Sequence, residues 1–186
     1  MFTTAIRGEI SVGMYVHEQI SFEIVHCPAT IWCGSAAHAT NCKDEPDIDE
    51  ALRKYQNLSS TPKIQIANPG WDCAISIDYW QEGAVPRGIM FAQQVLTIQQ
   101  DAQYNVYQMP ASLFVRLPNT AEVAQKAFGK ESCEAYELFG TIKDSLIANG
   151  FSMGTNGAQE IEMYNWSAGL QYAYVPVRRR EVDHHM

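Results

Sequence analysis

A five-residue pattern that occurs twice constrains the fold of this chain more than any other feature. The sequences PATIW at residues 28–32 and PASLF at residues 110–114 share a proline, an alanine, a hydroxyl residue and two apolar residues in the same order. Each copy precedes a predicted helix and then a strand that combines acids with aromatic residues. The common order of elements favours an internal duplication over chance, with halves at about residues 21–98 and 104–178.

Local signals predict the elements of the first half. Residues 22–32 predict one strand, with Pro28 tolerated at a bulge or an edge. Asp47 and Glu50 have the spacing of a capping box and predict the start of an amphipathic helix. Two alternating runs, at residues 72–80 and 89–98, flank a turn at residues 81–88.

The second half repeats this order and completes the predicted fold. Strands at residues 105–109 and 110–115 precede a helix at residues 132–149, which Gly150 would end. An acidic and aromatic strand follows at residues 160–166. Two pseudo-symmetric strand-helix-strand-strand halves predict an α+β fold whose antiparallel sheet surrounds a central ligand groove.

This domain would occupy residues 21–180. Residues 1–20 are predicted to be an N-terminal extension that could add a short strand at residues 9–16, and residues 181–186 to be a disordered tail.

Composition excludes several classes of protein. A chain of 186 residues with 46% hydrophobic content is long enough for one sizeable core. No apolar run is long enough to span a bilayer, and no signal-peptide pattern occurs, so we expect a cytoplasmic protein without membrane contact. The formal net charge of -8 repels phosphate backbones, and the only basic cluster is residues 178–180. Direct nucleic-acid binding is therefore not expected.

The cysteines and histidines show no ligand spacing. Five cysteines without a Cys-x-x-Cys pair argue against a disulfide framework and a zinc knuckle, and favour reduced thiols. The five histidines show no metal-site spacing with them, and His184 and His185 fall in the predicted tail. We predict no metal, and no phosphate-binding loop or other cofactor signature is present.

The strand at residues 160–166 carries the candidate site. Its alternation places Glu160, Glu162, Tyr164 and Trp166 on one face. Carboxylates beside aromatic rings suit the floor of a pocket for a cationic or polar aromatic molecule, because charge and ring quadrupole both attract cations. The alternative is an edge strand whose acids face water while its rings pack sideways.

The sequence resembles the GyrI-like small-molecule-binding domains, which also serve as effector-binding domains of AraC-type and MerR-type multidrug regulators. The resemblance covers residues 21–179 and rests on residues 110–114, the helix at 133–149, residues 162–164 and residues 174–177. It implies a groove for lipophilic cations in which Glu162 matches a buried glutamate and Tyr164 lies beside it. Glu160 would then be a solvated neighbour.

Further ring candidates come from strand parity and the repeat. Trp166, Trp80, Trp32 and Tyr107 are predicted to wall the groove. Only 20 residues precede the resemblance, too few for a helix-turn-helix unit, so we expect a stand-alone effector domain, as a monomer or a homodimer.

Three functions remain open. The first is a binding protein for cationic or amphipathic aromatic compounds, linked to transcription regulation or drug resistance. The second is a hydrolase of cyclopropane-bearing alkylating natural products, with Glu162 as general base. The third is a protein-interaction role such as gyrase protection, for which the acidic balance gives weak support.

Overall fold

Ten strands and three helices make up the computed structural model, which describes residues 3–81 and 85–181. The strands are β1 Ile10–His17, β2 Ile20–Cys27, β3 Thr30–His38, β4 Asp72–Ile77, β5 Gly88–Val95, β6 Asn105–Met109, β7 Ser112–Pro118, β8 Phe151–Met153, β9 Glu160–Asn165 and β10 Leu170–Arg179. The helices are α1 Ile48–Asn57, α2 Ala121–Phe128 and α3 Ala135–Ala148. The α+β fold predicted from the sequence is confirmed.

All ten strands form one antiparallel sheet with the order β1-β2-β7-β10-β9-β4-β5-β3-β6, and β8 pairs with the end of β10. Without β1, this order is symmetric about the β9–β4 pair. Counted outward, β10, β7 and β2 on one side correspond to β5, β3 and β6 on the other. The sheet does not close into a barrel.

Helices α1 and α3 pack on the same face of the sheet. Helix α3 covers β7 and β10, and α1 covers β3 and β5. Strands β9 and β4 lie between the two covered regions and pair from Asp72 with Tyr164 to Ser76 with Glu160. The side chains of β9 that point to this face therefore form a floor between two helices.

The opposite face of the sheet carries the largest apolar core. It joins strands from both halves, including Phe114 on β7, Met90 on β5, and Ile161 and Met163 on β9. Trp71, which precedes β4, stacks on Tyr172 with ring centroids 5.9 Å apart. Because strands at both ends of the sheet share this cluster, the sheet curves around it.

The predicted N-terminal extension contributes to the sheet. Strand β1 pairs with β2 along its length and forms one edge of the sheet. Just before β1, Glu9 contacts Arg116 on β7, and both side chains are at most 5% exposed. Residues 182–186 of the predicted 181–186 tail, and part of the predicted 81–88 turn, lie outside the described residues.

Two local predictions differ from the structure. The single strand predicted at residues 22–32 is two strands, because the chain turns at Pro28 and Ala29 and β3 joins the other half of the sheet. The run at residues 72–80 ends as a strand at Ile77, since Asp78 adopts a positive φ of 61°. Helix α2 was not predicted, although Thr120 caps it by accepting from the Val123 amide at 3.3 Å.

Candidate functional site

The alternating face of β9 lies on the side of the sheet that carries α1 and α3, between the two helices. Glu160, Glu162 and Tyr164 point to the helix face, while Ile161 and Met163 point into the opposite core. Strand β9 is central, between β10 and β4. The alternative prediction of a solvated edge strand is therefore wrong. The carboxyl groups of Glu160 and Glu162 lie where water has little access.

Glu160 is buried, with 9% of its surface exposed, and is not the solvated neighbour that the sequence suggested. The indole Nε1 of Trp80 donates a hydrogen bond to Glu160 Oε2. Burial raises the pKa of Glu160 from 4.5 to about 7, against the opposing effect of the Trp80 hydrogen bond. Glu162 and Glu134 raise it further by charge repulsion. At neutral pH this carboxyl is close to its titration midpoint.

Glu162 is half-buried and accepts two hydrogen bonds. The Tyr164 hydroxyl donates to Oε2 at 2.6 Å, and Asn119 Nδ2 donates to Oε1 at 3.2 Å. Burial raises the pKa of Glu162 above its usual 4.5, while these two donors lower it. Asn119 in turn accepts a weak hydrogen bond from the Cys133 thiol at 3.4 Å.

The two carboxylates lack a cationic partner. No Lys, Arg or His lies within 4.0 Å of either Glu160 or Glu162 in the described part of the chain. The nearest additional charge is Glu134, which immediately precedes α3 and repels both. The site therefore concentrates negative potential in a partly dry environment.

One cavity lies beside Tyr164, against α1. It has a volume of about 500 Å³ and a mostly apolar wall that includes Leu52, Tyr55, Phe91 and Trp166. Trp166 stacks on Tyr164 with centroids 5.0 Å apart and an interplanar angle of 8°. The indole is nevertheless 74% exposed, so the pair offers an open aromatic face.

A second cavity of about 360 Å³ lies at Glu160, against the start of α3. Its lining combines Trp80, Tyr79 and Tyr136 with Glu134 and Glu160. Trp80 is held edge-on against Phe139 of α3, with centroids 5.4 Å apart. The two cavities thus flank the acidic stretch of β9, one on each side of Glu162.

Two predicted wall residues lie elsewhere. Trp32 is 0% exposed and packs in the core on the opposite face of the sheet, with its Nε1 donating to Thr30 Oγ1 at 2.9 Å. Tyr107 pairs with Trp32 across β3 and β6 and packs against the same core. Neither ring is on the face that carries Glu162.

Sequence reasoning missed several contributors to the site. Asn119, which follows β7, donates to Glu162, and Phe139 on α3 packs against Trp80, so both come to the site from other parts of the chain. The only sequence signal for Phe139 was its place on the apolar stripe of a helix, which does not distinguish a core residue from a wall of a site.

Other kinds of site are not formed by the described residues. Within residues 3–81 and 85–181, no group of three or more His, Cys, Asp or Glu side chains has the geometry to hold a metal ion. Across the same residues, no helix combines the length and apolar character needed to cross a bilayer.

Comparisons with known proteins identify the fold but not a sequence family. No protein-family model and no curated protein matches the chain. The solved C-terminal domain of EcmrR matches with a TM-score of 0.52 and 11% identity, over 87% of this chain and 99% of that domain. An integron cassette protein from Vibrio cholerae matches with a TM-score of 0.47 and 12% identity, over 92% of this chain and 100% of that one.

A hydrolase from Listeria innocua matches with a TM-score of 0.49 and 9% identity, over 84% of this chain and 91% of that one. Of these three, the EcmrR domain has the TM-score above 0.5, and at 11% identity that match is evidence of a common fold alone. The match to the EcmrR C-terminal domain is consistent with the GyrI-like fold that the sequence resemblance implied.

Proposed function

We propose that this protein binds small cationic or amphipathic aromatic molecules in the groove between α1 and α3. The observation that carries the proposal is the pair Glu160 and Glu162. Both lie on one face of a central strand, both are desolvated, and neither has a basic residue within 4.0 Å among the described residues.

Desolvation explains why such a pair favours a cationic ligand. Burying an ionised carboxyl group without a partner is costly, and the protein reduces this cost by shifting the pKa upward. A bound cation would supply the missing partner and favour the ionised form. Relief of the electrostatic cost of these unpaired carboxylates would thus contribute to the free energy of binding.

Aromatic side chains supply the rest of the recognition. Trp80 and Tyr164 hold the two carboxylates by hydrogen bonds and present ring surface to the adjoining cavities. Trp166 extends the ring surface toward solvent. Rings next to anions attract a flat cation by stacking and by the ring quadrupole together. The fold shared with the EcmrR C-terminal domain supports a binding role of this kind.

Fluorescence anisotropy with the cationic ethyl ester of rhodamine B tests the proposal. We expect saturable binding that Glu160→Gln and Glu162→Gln each weaken by about tenfold, since each removes one charge and retains a hydrogen-bond acceptor. Asp144→Asn is the matched control, because Asp144 is an exposed acid on α3 and its loss changes the net charge equally.

If Asp144→Asn weakens dye binding as much as the Glu160 and Glu162 variants do, the loss of affinity is due to the change in net charge and not to the site. An absence of saturable binding would overturn the proposal. Steady turnover of a cyclopropane-bearing alkylator, abolished by Glu162→Gln in a folded protein, would identify a hydrolase instead.

A further inference from the structure

Trp80 separates two cavities of opposite charge. On one side it lines the cavity of about 360 Å³ that contains Glu134 and Glu160. On the other side it lines a cavity of about 290 Å³ whose wall includes Arg178. The remaining wall of this second cavity consists of Gln81, Met153, Gly154, Thr155 and Asn156, three of which carry polar side chains. A single indole thus borders an anionic and a cationic compartment.

The position of Arg178 is fixed by the short strand β8. Arg178 pairs with Ser152 across β10 and β8, and the chain leaves β8 through Gly154 before it turns at Asn156 and Gly157. A Cβ atom at residue 154 would come within 2.7 Å of Arg178 Cδ and 2.8 Å of Cγ. The absence of a side chain at Gly154 therefore lets the arginine stem lie against the backbone at this position, beside the cavity that Trp80 borders.

The Arg178 guanidinium has no carboxylate within 4.0 Å among the described residues. In a chain with a net charge of -8, it also belongs to the only run of three basic residues, 178–180. These three line a further cavity of about 310 Å³ with Ser152 and Glu181. Arg179 is placed over the ring of Phe151, at 5.4 Å from its centroid. Of the three, Arg178 also lines the cavity that Trp80 borders.

We propose that the ligand is a zwitterion, with its cationic end in the cavity at Glu160, its anionic end at Arg178 and its aromatic body on Trp80. This inference rests on the proposed function and defines the ligand class more narrowly. A guanidinium recognises a carboxylate through two parallel N–H donors, a geometry that a lysine cannot provide. The polar side chains of Gln81, Thr155 and Asn156 can add hydrogen bonds to the same end.

Rhodamine B and its ethyl ester form a matched pair of probes. Both carry the same cationic xanthene, but only the acid bears a carboxylate, so their affinity ratio isolates the anionic end. We expect the acid to bind about tenfold more tightly than the ester. Arg178→Gln should remove this preference by weakening the binding of the acid, and Arg178→Lys should retain it only in part.

Two further variants make the test specific. Arg180→Gln removes the same charge two residues away, outside the Trp80 cavity, and should preserve the preference. Gly154→Ala should reduce the preference, since the added methyl group displaces the arginine stem. Circular dichroism and thermal unfolding of each variant verify that it is folded.

The possible outcomes separate this inference from the function on which it rests. If both dyes bind equally and depend on Glu160 and Glu162, but Arg178→Gln has no effect, the zwitterion assignment is wrong and the cation site stands. If Arg180→Gln removes the preference as fully as Arg178→Gln, long-range charge and not a built site is responsible, and the assignment is overturned. If neither dye binds saturably, both proposals fail.

Discussion

Two clusters of buried acids lie on opposite faces of the same sheet and are stabilised in different ways. On the face away from the helices, Glu9 and Glu23 share the guanidinium of Arg116, with Nη1 to Glu9 Oε1 at 2.6 Å and Nη2 in contact with Glu23 Oε2. Tyr174 also donates to Glu9 at 2.8 Å. On the helix face, the donors to Glu160 and Glu162 among residues 3–81 and 85–181 are neutral, from Trp80, Tyr164 and Asn119.

This difference separates a structural cluster from a candidate binding site. Burial raises the pKa of Glu9, and the charge of Arg116 opposes that shift. For Glu160 no cation opposes it. The Arg116 cluster joins the segment before β1 to β2, β7 and β10, so its charges serve the fold. In the β9 pair, Glu160 lines a cavity, which makes this pair the candidate for contact with a ligand.

Removing the cation from the structural cluster should have the largest effect. Arg116→Met leaves two buried carboxylates without their shared partner, and we expect it to lower the free energy of unfolding by about 3–5 kcal/mol. Urea unfolding followed by circular dichroism measures this. The exposed Arg53→Met is the control, with an expected change below about 0.5 kcal/mol.

If Arg116→Met prevents folding, the double variant Glu9→Gln with Glu23→Gln in the same background should recover a cooperative transition, because it removes the uncompensated charges. If Arg116→Met and Arg53→Met lower the free energy of unfolding equally, the Arg116 guanidinium does not stabilise the two buried carboxylates.

Glu160→Gln should stabilise the protein at alkaline pH, whereas Arg116→Met should destabilise it. The pKa of Glu160 is about 7 in the folded protein and near its ordinary value of 4.5 in the unfolded chain, so between these pH values the folded state binds more protons than the unfolded state. Stability from this group therefore falls as pH rises from 4.5 to 7. The total loss is about 3 kcal/mol, since one pKa unit corresponds to about 1.4 kcal/mol.

Urea unfolding of wild type and Glu160→Gln at two pH values measures this contribution. At pH near 4.5 the two proteins should be about equally stable, and at about pH 8 the variant should be more stable by about 3 kcal/mol. Asp144→Asn should follow the wild type at both. A variant that is less stable than wild type at the higher pH would mean that the Glu160 carboxylate is paired, as Glu9 is.

The sequence predicted one of these clusters and not the other. The alternation of β9 placed Glu160, Glu162 and Tyr164 on one face, which depends only on strand geometry within a few residues. Asp47 likewise predicted the start of α1, and its Oδ1 accepts from the Glu50 amide at 2.8 Å. By contrast, Glu9 and Arg116 are far apart in sequence, and no periodicity connects them.

Three residues were misassigned because their environments depend on tertiary contacts that local sequence patterns do not contain. Trp32 and Tyr107 were placed in the groove by matching the halves, but parity cannot be carried across a turn whose length is unknown. Glu160 appeared solvated because its covering residues, Trp80 and Phe139, come from a turn after β4 and from α3. Burial of a side chain is set by such tertiary contacts, which a single strand pattern does not contain.

Trp166 provides the smallest and most selective change to the β9 site. Its indole is 74% exposed and stacks on Tyr164 with little else to stabilise, so Trp166→Ala should change the free energy of unfolding by no more than about 0.5 kcal/mol. The affinity for the ethyl ester of rhodamine B should nevertheless fall about threefold to tenfold, because a stacking surface worth about 0.5–1.5 kcal/mol is lost. Trp166→Phe retains a ring and should keep most of the affinity. A loss of stability without a loss of affinity would assign the Tyr164–Trp166 pair to the fold, and the distinction between the two faces of the sheet would then rest on the carboxylates alone.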